Sequence, residues 1–123
     1  MMNEKSLIHL GLLGRCLSQL SIKYNIRKLK LLNNYMAIAK KVKEITTKFD
    51  PDAEVYVFGS VVEGRITGAS DIDILIISER KELEYKIKVE VAKNIDAPIQ
   101  IHFATRDQYD RWYKRFINKK IKV

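Results

Sequence analysis

The residues from Ser70 to Ile77 constrain the fold of this chain more than any others. Isoleucine occupies positions 72, 74 and 76, and the alternate positions carry Asp71, Asp73 and Leu75. Because successive side chains of a β-strand point to opposite faces, this pattern predicts a strand with one face made only of isoleucine. A face of that kind must be buried, and helices predicted on either side of the strand can cover it.

Helical and strand patterns alternate along the rest of the chain. Apolar side chains recur at three- and four-residue steps over 27–49, as in an amphipathic helix, and Asp50-Pro51 ends it. Residues 79–94 fit strand alternation as well as helical steps, and their lysine and glutamate content favours a helix. The predicted elements are a helix over 27–49, strands over 54–58 and 70–77, a helix over 79–94, a strand over 99–103 and a closing helix from Thr105. This order predicts an α/β (α+β) fold in which helices pack on a small mixed β-sheet.

The length of 123 residues suits one hydrophobic core. No linker or repeat divides the chain, so we expect a single domain over 27–123 and an N-terminal extension over 1–26 that is weakly helical or partly ordered. Cys16 is the only cysteine, which excludes a disulfide scaffold and fits a cytoplasmic protein. The longest apolar stretch, Leu7 to Leu20, is interrupted by polar residues and glycines, so no membrane span is expected.

The net charge of +8 is unevenly distributed along the chain. Residues 23–48 and 111–122 are strongly basic, and an acidic stretch that contains Asp71 and Asp73 lies between them. Two basic flanks around an acidic centre suit a site that gathers a polyanion and holds metal ions, and the flanks alone could bind nucleic acid. Solvated helix faces that keep a small protein soluble are an equal alternative for the flanks.

Two short motifs point to chemistry on phosphates. Gly59-Ser60 follows the strand predicted over 54–58, and ten residues later comes Asp71-Ile72-Asp73. The two carboxylates share one face of a strand, where they repel each other unless a cation neutralises them. Mg²⁺ takes a few carboxylate oxygens and completes its shell with water and substrate phosphates, so a two-metal Mg²⁺ site is predicted at Asp71 and Asp73. The alternative is a surface turn at Ser70-Asp71 with an exposed Asp73 on an edge strand.

The glycine-serine pair supplies the complementary half of such a site. Glycine at a strand end lets the backbone approach a phosphate closely, and the hydroxyl and N–H groups that follow can donate to a triphosphate. Arg65 and Ser70 could add phosphate contacts. Arg65 could equally pair with Glu63 or Asp71 as a structural partner.

These residues resemble the signature of the minimal nucleotidyltransferase (MNT) domain of the polymerase beta-like superfamily, as found in HEPN/MNT toxin-antitoxin pairs. The resemblance covers roughly 30–117, with the specific motifs within 57–77. It implies transfer of a nucleoside monophosphate from an NTP, with ATP the default, to an acceptor hydroxyl. Under this resemblance Asp71 and Asp73 bind the metal ions, and Gly59 and Ser60 hold the triphosphate.

The resemblance also implies a third acidic residue on a later strand, and here the sequence departs from the family pattern. The matching position holds Gln100, with His102 next on the same face of the strand predicted over 99–103. A glutamine carbonyl binds metal weakly and cannot accept a proton near neutral pH, whereas a histidine can. Gln100 and His102 are therefore both candidate catalytic residues, and Asp96 or Asp107 could fill the gap if the register differs.

A catalytically weakened protein is the alternative function. The missing carboxylate and the lack of a substrate-recognition domain favour a nucleotide-binding antitoxin that neutralises a helical HEPN-type partner, as the resemblance implies. An aromatic stripe in the closing helix has the spacing of core packing, and if exposed it could receive a partner helix or a second copy of the chain. The stripe consists of Tyr109, Trp112, Tyr113 and Phe116.

Overall fold

The structure is a computed structural model that describes residues 26–67 and 69–123. The extension predicted over 1–26 lies outside the described residues, apart from position 26. Residues 26–33 are helical, and a turn at Asn34 separates them from helix α1, Tyr35–Phe49. The single helix predicted over 27–49 is therefore interrupted, because the Asn34 N–H bonds the carbonyls of both Lys30 and Leu31 at 3.1 Å.

A four-stranded mixed sheet forms the centre of the fold, as predicted. The strand order is β3-β2-β1-β4, in which β1 runs antiparallel to β2 and β4, and β2 runs parallel to β3. The strands are β1 (Glu54–Phe58), β2 (Ile72–Ile77), β3 (Ile99–Ala104) and β4 (Lys120–Lys122). Asp71 was predicted to be part of the second strand, but β2 begins one residue later, so Asp71 lies in the loop that enters it.

Helices cover the isoleucine face of the sheet. Helix α1 and helix α3 (Glu84–Asn94) pack there, and a 3₁₀ turn, Lys81–Leu83, leads into α3. A short helix, α2 (Ser60–Glu63), follows β1 directly. The core between helices and sheet contains Val42, Val55, Val57, Ile72, Ile74, Ile76, Ile87 and Val91. The preference for helix over strand at 79–94 is confirmed, since Ile87 and Val91 face this core at a four-residue step.

The opposite face of the sheet is covered in part by residues 106–116, which we call the closing segment. It consists of α-helical turns at Arg106–Gln108 and Lys114–Phe116 on either side of a π-helical turn, Tyr109–Tyr113. The segment starts at Thr105, as predicted for the closing helix, and a capping box forms there, because the Thr105 hydroxyl accepts from the Gln108 N–H and the Gln108 side chain accepts from the Thr105 N–H.

The aromatic stripe predicted for the closing segment is only half buried. Tyr109 and Tyr113 pack against the sheet, but Trp112 and Phe116 are 65% and 81% exposed. The π-helical turn places Tyr109 and Tyr113 on the side that faces the sheet. Trp112 and Phe116 therefore lie outside the contact with the sheet.

Strand β4 was not predicted from the sequence. Its three residues, Lys120 to Lys122, are too few and too charged to show a strand pattern, and they are ordered by pairing with the free edge of β1. Among the described residues, no helix is both long enough and apolar enough to cross a membrane.

Candidate active site

The end of β1 and the start of β2 meet at Gly59. Its backbone has φ +83° and ψ −157°, a conformation that only glycine adopts readily. A Cβ placed on Gly59 would lie 2.3 Å from Oδ2 of Asp73, so a side chain there would occupy the position of the carboxylate. The pairing of Phe58 with Asp73 across the two strands produces this close approach. Gly59 and Asp73, which the sequence placed in separate motifs, therefore form one site.

Helix α2 begins immediately after this contact. The Gly59 carbonyl accepts hydrogen bonds from the N–H groups of Val62 and Glu63 at 3.1 and 3.0 Å, which closes the turn. The Ser60 hydroxyl makes no hydrogen bond within residues 26–67 and 69–123. The first N–H groups of such a turn have no partner inside it, so this hydroxyl and the backbone around it are free to bind an anion.

The two aspartates differ in their surroundings. Asp73 lies on β2, a central strand, and its side chain is 25% exposed. Asp71 is exposed in the loop before β2, and its carboxylate forms no ion pair or hydrogen bond with the part of the chain that is described. Both carboxylates are therefore open to a ligand, with Asp73 the more enclosed of the two.

Residues Gln100 and His102 of β3 lie on the same sheet face as Asp73. The strand register pairs Asp73 directly with Gln100 and Leu75 with His102. His102 lies closer to the carboxylate, with Nε2 3.4 Å from Oδ1 of Asp73. The neutral amide of Gln100 therefore lies on the strand next to Asp73, and the imidazole of His102 contacts the Asp73 carboxylate.

The ring of His102 is held between two aromatic rings. The centroid of Phe58 lies 5.2 Å away and that of Tyr113 lies 6.1 Å away, the latter in an edge-to-face arrangement. Neither aromatic residue was singled out as a site residue from the sequence. Phe58 lies at the end of its strand, directly before Gly59, and strand alternation could have indicated it. Tyr113 could not have been found, because its position depends on the π-helical turn.

The other predicted site residues have partners elsewhere. Arg65 forms an ion pair with Glu63 at 2.5 Å, which is one of the two roles predicted for it, and its side chain remains mostly exposed. Ser70 is buried, and its hydroxyl accepts from the Thr67 N–H at 2.9 Å, so it shapes the loop before β2.

Two further acidic residues were alternatives for the third carboxylate. Asp96 pairs with Arg27 at 3.4 Å, and Asp107 pairs with Arg111 at 3.0 Å. Within the described residues neither contacts Asp73, so neither takes the position that Gln100 occupies.

The donor set fits a divalent cation that keeps part of its own shell. Within residues 26–67 and 69–123, no three carboxylate, histidine or cysteine side chains cluster closely enough to hold a metal alone. Mg²⁺ is commonly held by only one or two carboxylates together with substrate phosphates. Asp71 and Asp73 are the two carboxylates of this kind at the site, the first exposed and the second with a side chain that is 25% exposed.

The comparisons with known proteins agree on one family. Residues 38–123 match the family model described as the nucleotidyltransferase domain. The chain is similar to the crystal structure of a candidate nucleotidyltransferase, with 37% identity and a TM-score of 0.58 over 68% of this chain and 95% of that one. A candidate nucleotidyltransferase from Sulfolobus solfataricus is 28% identical over 82% of this chain and 83% of that one, with a TM-score of 0.46. No curated protein matches the chain.

The family match includes every residue of the site just described. It begins at position 38, in the first helix, and extends through the strands that carry Gly59, Asp73 and His102. The fold of this chain is also similar to that of the first of the two structures, with a TM-score of 0.58. This chain therefore belongs to the nucleotidyltransferase domain family.

Proposed function

We propose that this protein transfers a nucleoside monophosphate from a nucleoside triphosphate, by default ATP, to an acceptor hydroxyl and releases pyrophosphate. The observation that carries the proposal is the approach of Gly59 to Asp73, where an added Cβ would lie 2.3 Å from a carboxylate oxygen. This contact brings a turn suited to phosphates against a carboxylate suited to a cation. Nucleotidyl transfer needs both at the same point.

The reaction is a substitution at the α-phosphorus of the triphosphate. The acceptor oxygen forms a bond to this phosphorus, and the bond from phosphorus to the oxygen that bridges to the β-phosphate breaks. The electron pair of that bond leaves on pyrophosphate, and the hydroxyl proton passes to water. Such transfers depend mainly on positioning and on charge stabilisation, which are the tasks of the protein.

Each site residue has a separate task in this proposal. The Ser60 hydroxyl and the backbone at Gly59 bind and orient the triphosphate. Asp71 and Asp73 would hold Mg²⁺, which neutralises charge on the triphosphate when it is bound. Gln100 is neutral, so it can orient a ligand but cannot remove a proton.

A calorimetric titration of ATP, with and without Mg²⁺, tests the proposal directly. We expect saturable binding that requires Mg²⁺, and pyrophosphate release when an acceptor is supplied. The absence of ATP binding under both conditions would contradict the proposal. Titration with GTP, CTP and UTP under the same conditions tests the choice of ATP.

Replacing Gln100 by aspartate is expected to strengthen Mg²⁺-dependent ATP binding about tenfold, because the register places the new carboxylate beside Asp73. The measurement is the same titration on the variant. Asn33→Asp also replaces an amide by a carboxylate, at an exposed helical position that is not among the site residues, and is expected to leave the affinity unchanged. Equal affinities in Gln100→Asp and the unmodified protein would show that position 100 lies away from the metal.

Replacing His102 by alanine is expected to lower ATP affinity or turnover about 10- to 100-fold, because the imidazole fixes the Asp73 carboxylate from 3.4 Å. We assign His102 a positioning role, so His102→Gln, which keeps a polar group near Asp73, should recover part of the loss. The check is the titration together with separate kcat and KM values. Full activity in His102→Ala would show that His102 does not position the Asp73 carboxylate.

A second candidate function is a nucleotide-binding antitoxin that neutralises a HEPN-type helical partner with little turnover of its own. Gln100, which the resemblance matches to the third family carboxylate, is neutral, and this favours the second candidate. ATP binding without pyrophosphate release, in a protein that copurifies with a helical partner, would support this candidate. Release of pyrophosphate by the isolated protein would favour the enzyme.

A further inference from the structure

Two large aromatic side chains of the closing segment face solvent. Trp112 and Phe116 are 65% and 81% exposed and lie four residues apart, where they are neighbours on a helical surface. Exposed aromatic pairs of this kind are unusual on a small protein unless they contact a ligand or partner.

The same stretch of the chain is rich in positive charge. Residues 111–122 contain six basic residues and no acidic ones. Three of these cations have acidic or aromatic partners, since Arg111 pairs with Asp107, Lys122 pairs with Glu54, and Lys120 contacts Tyr109. The other three, Lys114, Arg115 and Lys119, form no ion pair with any residue in the described part of the chain.

We call Trp112, Phe116, Lys114, Arg115 and Lys119 the aromatic-basic patch. The patch begins beside the site, because Tyr113, next to Trp112 in the chain, contacts the ring of His102, which in turn contacts Asp73. One side of the closing segment thus contacts the site through Tyr113, and its other side exposes Trp112 and Phe116 to solvent.

Exposed rings that lie close in the chain to unpaired cations fit a ligand that has flat apolar faces and regularly spaced negative charges. A single-stranded nucleic acid has both, since its bases stack on aromatic rings and its phosphates attract lysine and arginine. A second copy of this chain would bring like charges together, and an apolar protein surface would leave three cations unpaired. A base-paired duplex keeps its bases stacked on each other and cannot use the two rings.

We propose that the aromatic-basic patch binds single-stranded nucleic acid next to the active site. The proposal rests on the proposed function only where it assigns the acceptor hydroxyl to the bound strand. Binding by the patch itself requires neither ATP nor a metal ion.

Trp112 is the only tryptophan of the chain, so its fluorescence reports on this surface alone. We would titrate oligouridylate and oligothymidylate of about 12 nucleotides into the full chain without ATP or metal, at several salt concentrations. Stacking on Trp112 should quench the emission saturably. Three phosphate contacts predict a slope of log affinity against log salt of about −2. The ratio of the two affinities tells whether RNA or DNA is the ligand.

Matched variants localise the binding. Phe116→Ala should weaken it on the order of tenfold, and Lys114→Gln with Arg115→Gln should make the salt slope shallower by about 1.4. Tyr85→Ala removes an equally exposed aromatic residue from α3, on the other side of the sheet. Lys40→Gln with Lys41→Gln makes the same charge change on α1. Both controls should bind as tightly as the unmodified protein.

Several results would overturn the proposal. Equal affinities in the patch variants and their controls would place the ligand elsewhere, and equal affinity for duplex of the same length would mean that charge alone is recognised. Quenching that depends on protein concentration without oligonucleotide would instead assign the patch to a second copy of the chain. Asp73→Asn separates the two proposals, because it should lose ATP binding and keep oligonucleotide binding.

Discussion

Alanine at position 59 is expected to abolish ATP binding and to lower nucleotidyl transfer by about 100-fold or more. The new Cβ would lie 2.3 Å from Oδ2 of Asp73, so the carboxylate or the turn must move, and displacements of about 1 Å at a reacting centre cost on the order of 100-fold. Gly59 also has a backbone conformation that alanine adopts at a cost of about 1–3 kcal/mol. Calorimetry, pyrophosphate release and urea unfolding measure these effects separately.

Gly64 provides a matched control for this substitution. It also has a positive φ, +76°, but a Cβ added there meets no atom within 4 Å. Gly64→Ala should therefore lower the free energy of unfolding by about 1 kcal/mol and leave ATP affinity unchanged. Wild-type affinity in Gly59→Ala, or equal losses of affinity in both variants, would mean that the approach to Asp73 is irrelevant to the nucleotide.

Replacing Asp73 by asparagine is expected to remove Mg²⁺-dependent ATP binding and to reduce turnover at least about 100-fold. Asparagine keeps the shape of the side chain and its contact with His102 but loses the negative charge. Mutating a residue that supports a metal ligand typically lowers metal affinity or activity 10- to 100-fold, and loss of the ligand itself should have a larger effect. The free energy of unfolding should change by no more than about 1 kcal/mol, since asparagine has nearly the same size and the side chain is not in the hydrophobic core.

The control for Asp73→Asn is Asp52→Asn, which makes the same charge change at an exposed residue in the turn before β1. This control should bind ATP as the unmodified protein does. An Asp73→Asn variant that still binds ATP in a Mg²⁺-dependent manner would assign the metal to other residues, with exposed Asp71 the first to be examined.

Strands β1 to β3 could be predicted because they depend on short-range patterns. Alternation of isoleucine with polar residues identified β2, and the pairing of Asp73 with Gln100 followed once β3 was recognised. The close contact between Gly59 and Asp73 could not be predicted, because it depends on the antiparallel register of β1 and β2. That register follows from the packed sheet and is not evident from either motif alone.

Local sequence also failed where distant contacts decide the conformation. The spacing of Trp112 and Phe116 is that of a buried helical stripe, but the π-helical turn buries Tyr109 and Tyr113 instead. Similarly, Asp71 continues the alternation of β2 but lies before the strand, so its carboxylate is more exposed than the pattern suggested. Both errors concern which side chains reach solvent, and both fall at the site or beside it.

The site is divided between strands that differ in how firmly they are held. Gly59 follows β1 and Asp73 lies on β2, and each of these strands has a neighbour on both sides, whereas His102 lies on β3 at the edge of the sheet. The contact between Gly59 and Asp73 therefore depends only on the two central strands, and only the His102 side of the site depends on an edge strand.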